Sequence, residues 1–158
     1  MPKYNIAGVI VEMNPMFNRT ISQAKPYLTT SLNNPDISIE LTMEKLEEIK
    51  KRYNHLNLEE IEYIFLGQLF YRHILKYNGI LLHSSCVVKD NQAYLFSAPS
   101  GTGKSTHTNL WLEEFKDAYI LNDDKPAIIY KDNTLYAAGT PFSGKHDISK
   151  NLLVPIKG

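Results

Sequence analysis

Ser100, Gly101, Thr102, Gly103, Lys104, Ser105 and Thr106 follow one another in a 158-residue chain, and their types suit one task. Small residues let successive backbone N–H groups wrap a phosphate, a lysine after the second glycine reaches the outer phosphates, and the next hydroxyl can hold Mg²⁺. Residues 97–106 therefore read as the end of a phosphate-binding loop of the Walker A type, with Ala98 where the strict pattern has its first glycine. The nucleotide-binding candidates are Ala98, Pro99, Ser100, Gly101, Thr102, Gly103, Lys104, Ser105 and Thr106. An apolar run at 93–96 precedes the loop and a helix-like segment at 106–115 follows it. That order puts a helix N-terminus, with its positive end and free N–H groups, under the phosphates. The competing reading is a Gly/Ser/Thr turn in which a lysine falls by chance.

Phosphoryl transfer also needs a carboxylate at the end of a neighbouring strand to hold Mg²⁺ or its water, and often a second to take the proton of the attacking group. Asn122-Asp123-Asp124 follows the apolar run 118–121 and offers both. Asp123 and Asp124 are thus catalytic candidates and, with Ser105, metal-ligand candidates, although alternation along a strand should turn only one of them squarely inward. An acidic turn is the alternative. His83 enters through a hairpin: 80–88 and 93–96 flank the polar turn 89–92, and symmetry about Asp90-Asn91 sets His83 opposite Ala98, at the mouth of the loop. A satisfied histidine at a strand end is its alternative. A second hairpin, 127–130 with 134–138, if centred on Asp132, brings Thr140 opposite Asp124 and returns the loop 139–146 to the same end of the sheet. Ser143, Lys145 and His146 become candidate substrate or phosphate contacts, against a plain Gly/Pro loop.

These residues must be carried by a scaffold, and the chain divides near Asn78. Before it, 4–13 reads as one strand, 37–41 as a second by its alternation, and 44–53 as a helix with Leu46, Ile49 and Tyr53 on one face. Asn57 to Glu60 has the form of a capping box, opening a long core helix that runs to about Tyr77 and is stopped by Asn78-Gly79. Residues 18–30 carry no clear period. After Asn78 come short strands and turns, ending in a last strand over 151–156 whose outer edge is expected to lack a partner and to favour self-association. The organisation expected is a small N-terminal α/β portion at 1–78 and a catalytic core at 79–158.

Composition narrows the partners. Lys+Arg and Asp+Glu number 17 each, so no global field steers the chain onto nucleic acid or an anionic membrane. The lone Cys86 lies in an apolar run and reads as a buried thiol in a reducing compartment. The apolar run 6–11 is too short to span a bilayer and lacks a signal peptide's cleavage pattern, so a cytoplasmic, soluble protein is expected.

From about residue 80 to 158 the chain resembles the superfamily of HPr serine kinase/phosphorylase and phosphoenolpyruvate carboxykinase, nearer to the HPr-kinase-like proteins. Leu82-His83 before the loop, the run 100–106 and Asn122-Asp123-Asp124 carry the resemblance jointly. It implies an α/β fold in the mixed-sheet α+β variant, a phosphate loop between strand and helix, and active-site roles for His83, Lys104, Ser105, Asp123 and Asp124. Thr106 stands where HPr kinases have an acid, and Lys125-Pro126 where carboxykinases have Glu-His, so neither named substrate transfers. Relatives run on past the equivalent of Gly158, so a core with an incomplete C-terminal part is expected.

The function expected is phosphoryl transfer, dependent on Mg²⁺ and ATP or GTP, to a serine or other hydroxyl of a protein, peptide or small molecule. Partners are then the nucleotide and that acceptor, with no nucleic acid or membrane and a homo-oligomer left open. The alternatives are a non-enzymatic nucleotide or phosphate sensor and a carboxykinase-like metabolic enzyme.

Overall fold

Ala7-Gly8 divides the N-terminal apolar run in two. In the computed structural model, which describes residues 1–158, β1 (Lys3–Ile6) and β2 (Val9–Met13) form an antiparallel hairpin. Both turn residues are left-handed, with φ of 54° and 82°, the geometry that matches the twist of flanking strands. The single strand expected over 4–13 is therefore two. Residues 18–30, unassigned from sequence, hold α1 (Asn18–Ala24), a short 3₁₀ turn and the two-residue strand β3 (Leu28–Thr29). With β4 (Ile37–Ile39), parallel to β2, they make a sheet in the order β3-β1-β2-β4.

Two capped helices follow. Thr42 accepts the Lys45 N–H at the start of α2 (Met43–Arg52), and a capping box between Asn57 and Glu60 starts α3 (Leu58–Ile74). α3 buries Ile61, Leu66, Phe70 and Ile74, and a 3₁₀ turn carries it to Asn78, whose φ of 55° ends the helical run. Phe70 and Tyr63 of α3 pack on Phe142 with ring centroids 5.7 and 6.0 Å apart. The larger core holds 23 residues, drawn from β1, β2, β4, α2 and α3, with Ala7, Ala24 of α1, Tyr27 of the 3₁₀ turn and Leu41, together with Leu81, Ala127, Ile129, Ala138 and Phe142 from beyond Asn78.

The run expected as one strand over 80–88 is also two. β5 (Gly79–Leu81) belongs to a sheet ordered β11-β10-β9-β5, whereas β6 (Ser85–Lys89) belongs to a second, β7-β6-β8. The other members are β7 (Gln92–Phe96), β8 (Tyr119–Asn122), β9 (Ala127–Lys131), β10 (Thr134–Ala138) and β11 (Leu153–Pro155). The interruption at Leu82-His83-Ser84 is stitched, because Leu82 N–H donates to the Pro126 carbonyl at 3.1 Å and Ser84 N–H to that of Asp124 at 3.0 Å. Two antiparallel chain segments thus pass together from one sheet to the other, with His83 on one and Asp124-Lys125 on the other at the crossing.

The turn chemistry fixes the registers. Asp90 and Asn91 are both left-handed, and Ser85 faces Phe96 as the hairpin symmetry requires. In the second hairpin Asp132 and Asn133 are both left-handed, so the centre falls between them and not on Asp132. This shifts the expected pairing by one residue: Thr140 meets Lys125, donating its hydroxyl to the Lys125 carbonyl at 2.7 Å, in place of Asp124. The last strand is shorter than 151–156 and stands at the edge of its sheet, while the residues after it turn onto β7. Ile156 bridges Ala93 of β7 in parallel, Lys157 N–H reaches the Ala93 carbonyl and Leu95 N–H the Gly158 carbonyl, each at 2.9 Å.

Between β7 and β8 lies α4 (Lys104–Glu114), held on β7 by aromatic side chains. Tyr94 packs on Trp111 at 4.9 Å and Phe96 on His107 at 4.5 Å between ring centroids. The whole is a mixed α+β fold with several sheets and four α-helices, and no helix is long and apolar enough to cross a membrane.

Candidate active site

Gly101 and Gly103 set the loop between β7 and α4. Their φ values of 80° and 91° lie where a side chain is disfavoured, and Gly103 is the residue from which the helix starts. The helical ladder opens with His107 N–H on the Gly103 carbonyl at 2.9 Å, so the N–H groups of Lys104, Ser105 and Thr106 have no acceptor within the helix. Lys104 folds back on the loop, its Nζ 2.8 Å from the Ala98 carbonyl and 3.3 Å from that of Pro99, which also takes the Thr102 hydroxyl at 2.6 Å. An ammonium held only by neutral carbonyls is free to exchange them for a charged oxygen, which binds it more strongly.

Asp123 faces this helix start. One carboxylate oxygen accepts from Ser85 Oγ at 2.7 Å and from Ser105 Oγ at 3.1 Å, and the other lies 3.2 Å from Ser105 Oγ. Thr108, one turn along α4, places its hydroxyl 2.9 Å from Ser85 Oγ, so β6, α4 and the end of β8 are tied together beneath Asp123. Asp124 has different company: His83 Nε2 at 3.3 Å on one oxygen and Lys125 Nζ at 2.6 Å on the other.

Strand alternation would give the cavity only one of these acids, yet both line it. The cause is Asn122, fully buried, whose side-chain oxygen accepts the N–H groups of Asp124 and Lys125 at 3.1 and 2.9 Å while its amide donates to the Thr140 carbonyl at 2.9 Å. The chain turns immediately after β8, and alternation stops there.

The loop 139–146 closes the far side and is held by the N-terminal half. Gly144 N–H donates to Tyr63 Oη at 2.9 Å, and its carbonyl accepts from Gln23 Nε2 at 2.9 Å and an Arg19 guanidinium nitrogen at 3.2 Å. The guanidinium lies 3.7 Å above the Tyr63 ring. Burial raises the Tyr63 phenol above its ordinary value, against the opposing pull of the Gly144 N–H and of Arg19. Gly144 has φ 78°, and a Cβ there would come within 3.1 Å of Asp124 Cβ. Ser143 is buried, with its hydroxyl on Asp147 at 3.1 Å, whereas Lys145 and His146 are exposed.

The result is one open cavity of about 430 Å³ with no apolar side chain in its lining. It brings together His83, Ser100, Gly101, Gly103, Lys104, Ser105, Thr106, Asp123, Asp124, Ser143, Lys145 and His146, with Gly144 added. Ala98 and Thr102 border a separate hollow beside Phe96 and His107, and Pro99 borders neither. Cys86 takes no part: it is buried, and burial pushes its thiol up to about 12.

No group of three or more His, Cys, Asp and Glu side chains stands close enough to cage a metal ion. Ser105 Oγ and the Asp123 carboxylate, side by side, offer two hard oxygens, a set that suits Mg²⁺ carried in on phosphate oxygens and water. Sequence reasoning missed Arg19, Gln23, Tyr63, Ser85, Thr108, Asn122 and Lys125. Thr108 alone carries a local signal, sharing a helix face with Lys104 and Ser105 by its spacing. No protein-family model matches the chain, and no curated protein or solved structure matches it either.

Proposed function

We propose that the protein binds a Mg²⁺-nucleoside triphosphate at the loop 97–106 and transfers its terminal phosphoryl group to a hydroxyl, in the manner of an HPr-kinase-like enzyme, although the strand pairs of the two sheets beyond Asn78 are antiparallel and not mixed. The observation that carries this reading is the meeting of Ser105 and Asp123 at the start of a helix whose first N–H groups are free, beside Lys104. Free N–H groups and a lysine neutralise phosphate oxygens, and a hydroxyl next to a carboxylate is the pair that a phosphate-bound Mg²⁺ uses. Ser105 and Asp123 would hold the Mg²⁺, which would supply charge neutralisation for the phosphate oxygens.

The two acids then divide the work. Asp123, fixed by Ser85 and Ser105, serves the metal side. Asp124, across the turn and against His83, accepts the hydroxyl proton, while His83 and Lys125 hold its carboxylate in place. Lys145 and His146 lie on the exposed side of the same cavity, where charge on the transferred group would be met. Calorimetric titration of wild type and Lys104→Ala with MgATP and MgGTP tests the site: affinity lost in the variant with an unchanged melting temperature supports it, and equal affinity removes it.

A further inference from the structure

A second hollow adjoins the polar cavity and differs from it in chemistry. It is a groove of about 320 Å³ between α3 and β5, with Ile64, Tyr71, Leu81 and Phe142 as its apolar walls and His83 and Lys125 at its polar end. Ile64 and Tyr71 lie two helical turns apart on α3 and remain 37% and 45% exposed, so their apolar surface is uncovered although it faces a shaped hollow. His83 borders both spaces. Lys125 borders the groove while its Nζ pairs with Asp124, which borders the cavity. The row His83, Asp124, Lys125 is therefore the wall that the two spaces share.

We propose that this groove is the acceptor site and that its occupant is a small hydroxy acid with an aromatic or branched apolar body. The proposal rests on the phosphoryl-transfer reading for the word acceptor, and on the groove itself for the chemistry of the ligand. The volume is at the lower end of the range for small-molecule sites, which suits a molecule of about amino-acid size. Apolar walls bury the body, the half-exposed Lys125 ammonium receives the carboxylate, and the hydroxyl is directed over the shared wall toward Asp124. There the hydroxyl oxygen bonds to the terminal phosphorus, the bond from that phosphorus to the bridging oxygen breaks to leave the nucleoside diphosphate, and the hydroxyl proton passes to Asp124.

The test compares L-lactate with L-3-phenyllactate, which share hydroxyl and carboxylate and differ by a phenyl ring, as ligands of the full chain without nucleotide. Wild type should bind phenyllactate at least about tenfold more tightly, from burial of the ring alone. Ile64→Glu and Tyr71→Ser, both at half-exposed positions, should each erase most of that preference while keeping the wild-type circular dichroism and melting temperature. Adding MgATP should then yield phosphorylated phenyllactate. Equal affinity for the two acids, or a preference that survives both variants, overturns the groove as the site and leaves the phosphate-loop reading standing. Selective phenyllactate binding by a protein that does not bind MgATP overturns the acceptor role together with the transfer reading.

Discussion

Ser105 and Asp123 stand 18 residues apart in the chain, and the Ser105 hydroxyl lies within 3.1 and 3.2 Å of the two carboxylate oxygens of Asp123. Asp124, the next residue, makes neither contact and pairs with His83 and Lys125. Two adjacent acids of the same type should therefore fail differently when changed. Asp123→Asn should weaken the Mg²⁺-dependent part of triphosphate binding, read as a rightward shift in a Mg²⁺ titration at fixed ATP. Asp124→Asn should leave that curve in place and lower the transfer rate by about 10²- to 10⁴-fold, the usual effect of losing a general base. Identical behaviour of the two variants would refute the division of roles.

Gly144 links the N-terminal half to the cavity through Tyr63, Gln23 and Arg19. Gly144→Ala would force a side chain into the left-handed region, at about 1–2 kcal/mol, and bring its Cβ against Asp124. It should reduce the transfer rate more than nucleotide affinity. Tyr63→Phe removes one hydrogen bond and keeps the ring under Arg19, so it should show the same pattern more weakly. Rate and affinity measured on both variants check this, and wild-type rates in Gly144→Ala would show that the loop position is immaterial.

These links also mark where the sequence stops being informative. The hairpin of β6 and β7 is legible because Asp90-Asn91 names its turn and the turn sets the register. The capping box of α3 is legible for the same kind of local reason. The break at Leu82-His83-Ser84 is not, since the polar His83-Ser84-Ser85 inside an otherwise apolar stretch carries no Gly, Pro or Asn that would mark where one strand becomes two. His83 nonetheless lines the cavity with the loop, its carbonyl accepting the Ser97 hydroxyl at 3.0 Å, although the paired register of β6 and β7 stops at Ser85 and Phe96. Asp123 and Asp124 are visible as a pair, but their separation into two environments depends on the buried Asn122 side chain and its partner in another loop. Arg19 and Gln23 are out of reach altogether: their contact lies more than a hundred residues away in a stretch with no local period.

Alkaline pH should destabilise the fold. The Cys86 thiol is pushed up by burial from 9.0 to about 12, so between those values the folded chain keeps a proton that the unfolded chain has lost. The stabilisation is complete below pH 9 and is withdrawn as pH rises toward 12, at about 1.4 kcal/mol per pH unit for one group. Burial also raises Tyr4, Tyr27, Tyr63 and Tyr119, which adds to the slope in the same direction. Urea unfolding of wild type and Cys86→Ala at pH 8, 9 and 10 checks the sign: the variant should lose less stability over the interval. Iodoacetamide should leave Cys86 unmodified at pH 8 until the protein unfolds.

Phosphoryl transfer itself is tested most directly by following the terminal phosphate of labelled ATP in the presence of Mg²⁺ and a panel of hydroxyl acceptors that includes phenyllactate, serine and seryl peptides. Wild type should move the label to an acceptor or, slowly, to water, with Lys104→Ala and Asp124→Asn each at least about a hundredfold slower. Label that stays on the nucleotide with wild type and every acceptor, while MgATP binding is intact, would contradict phosphoryl transfer and identify the cavity as a nucleotide-sensing site.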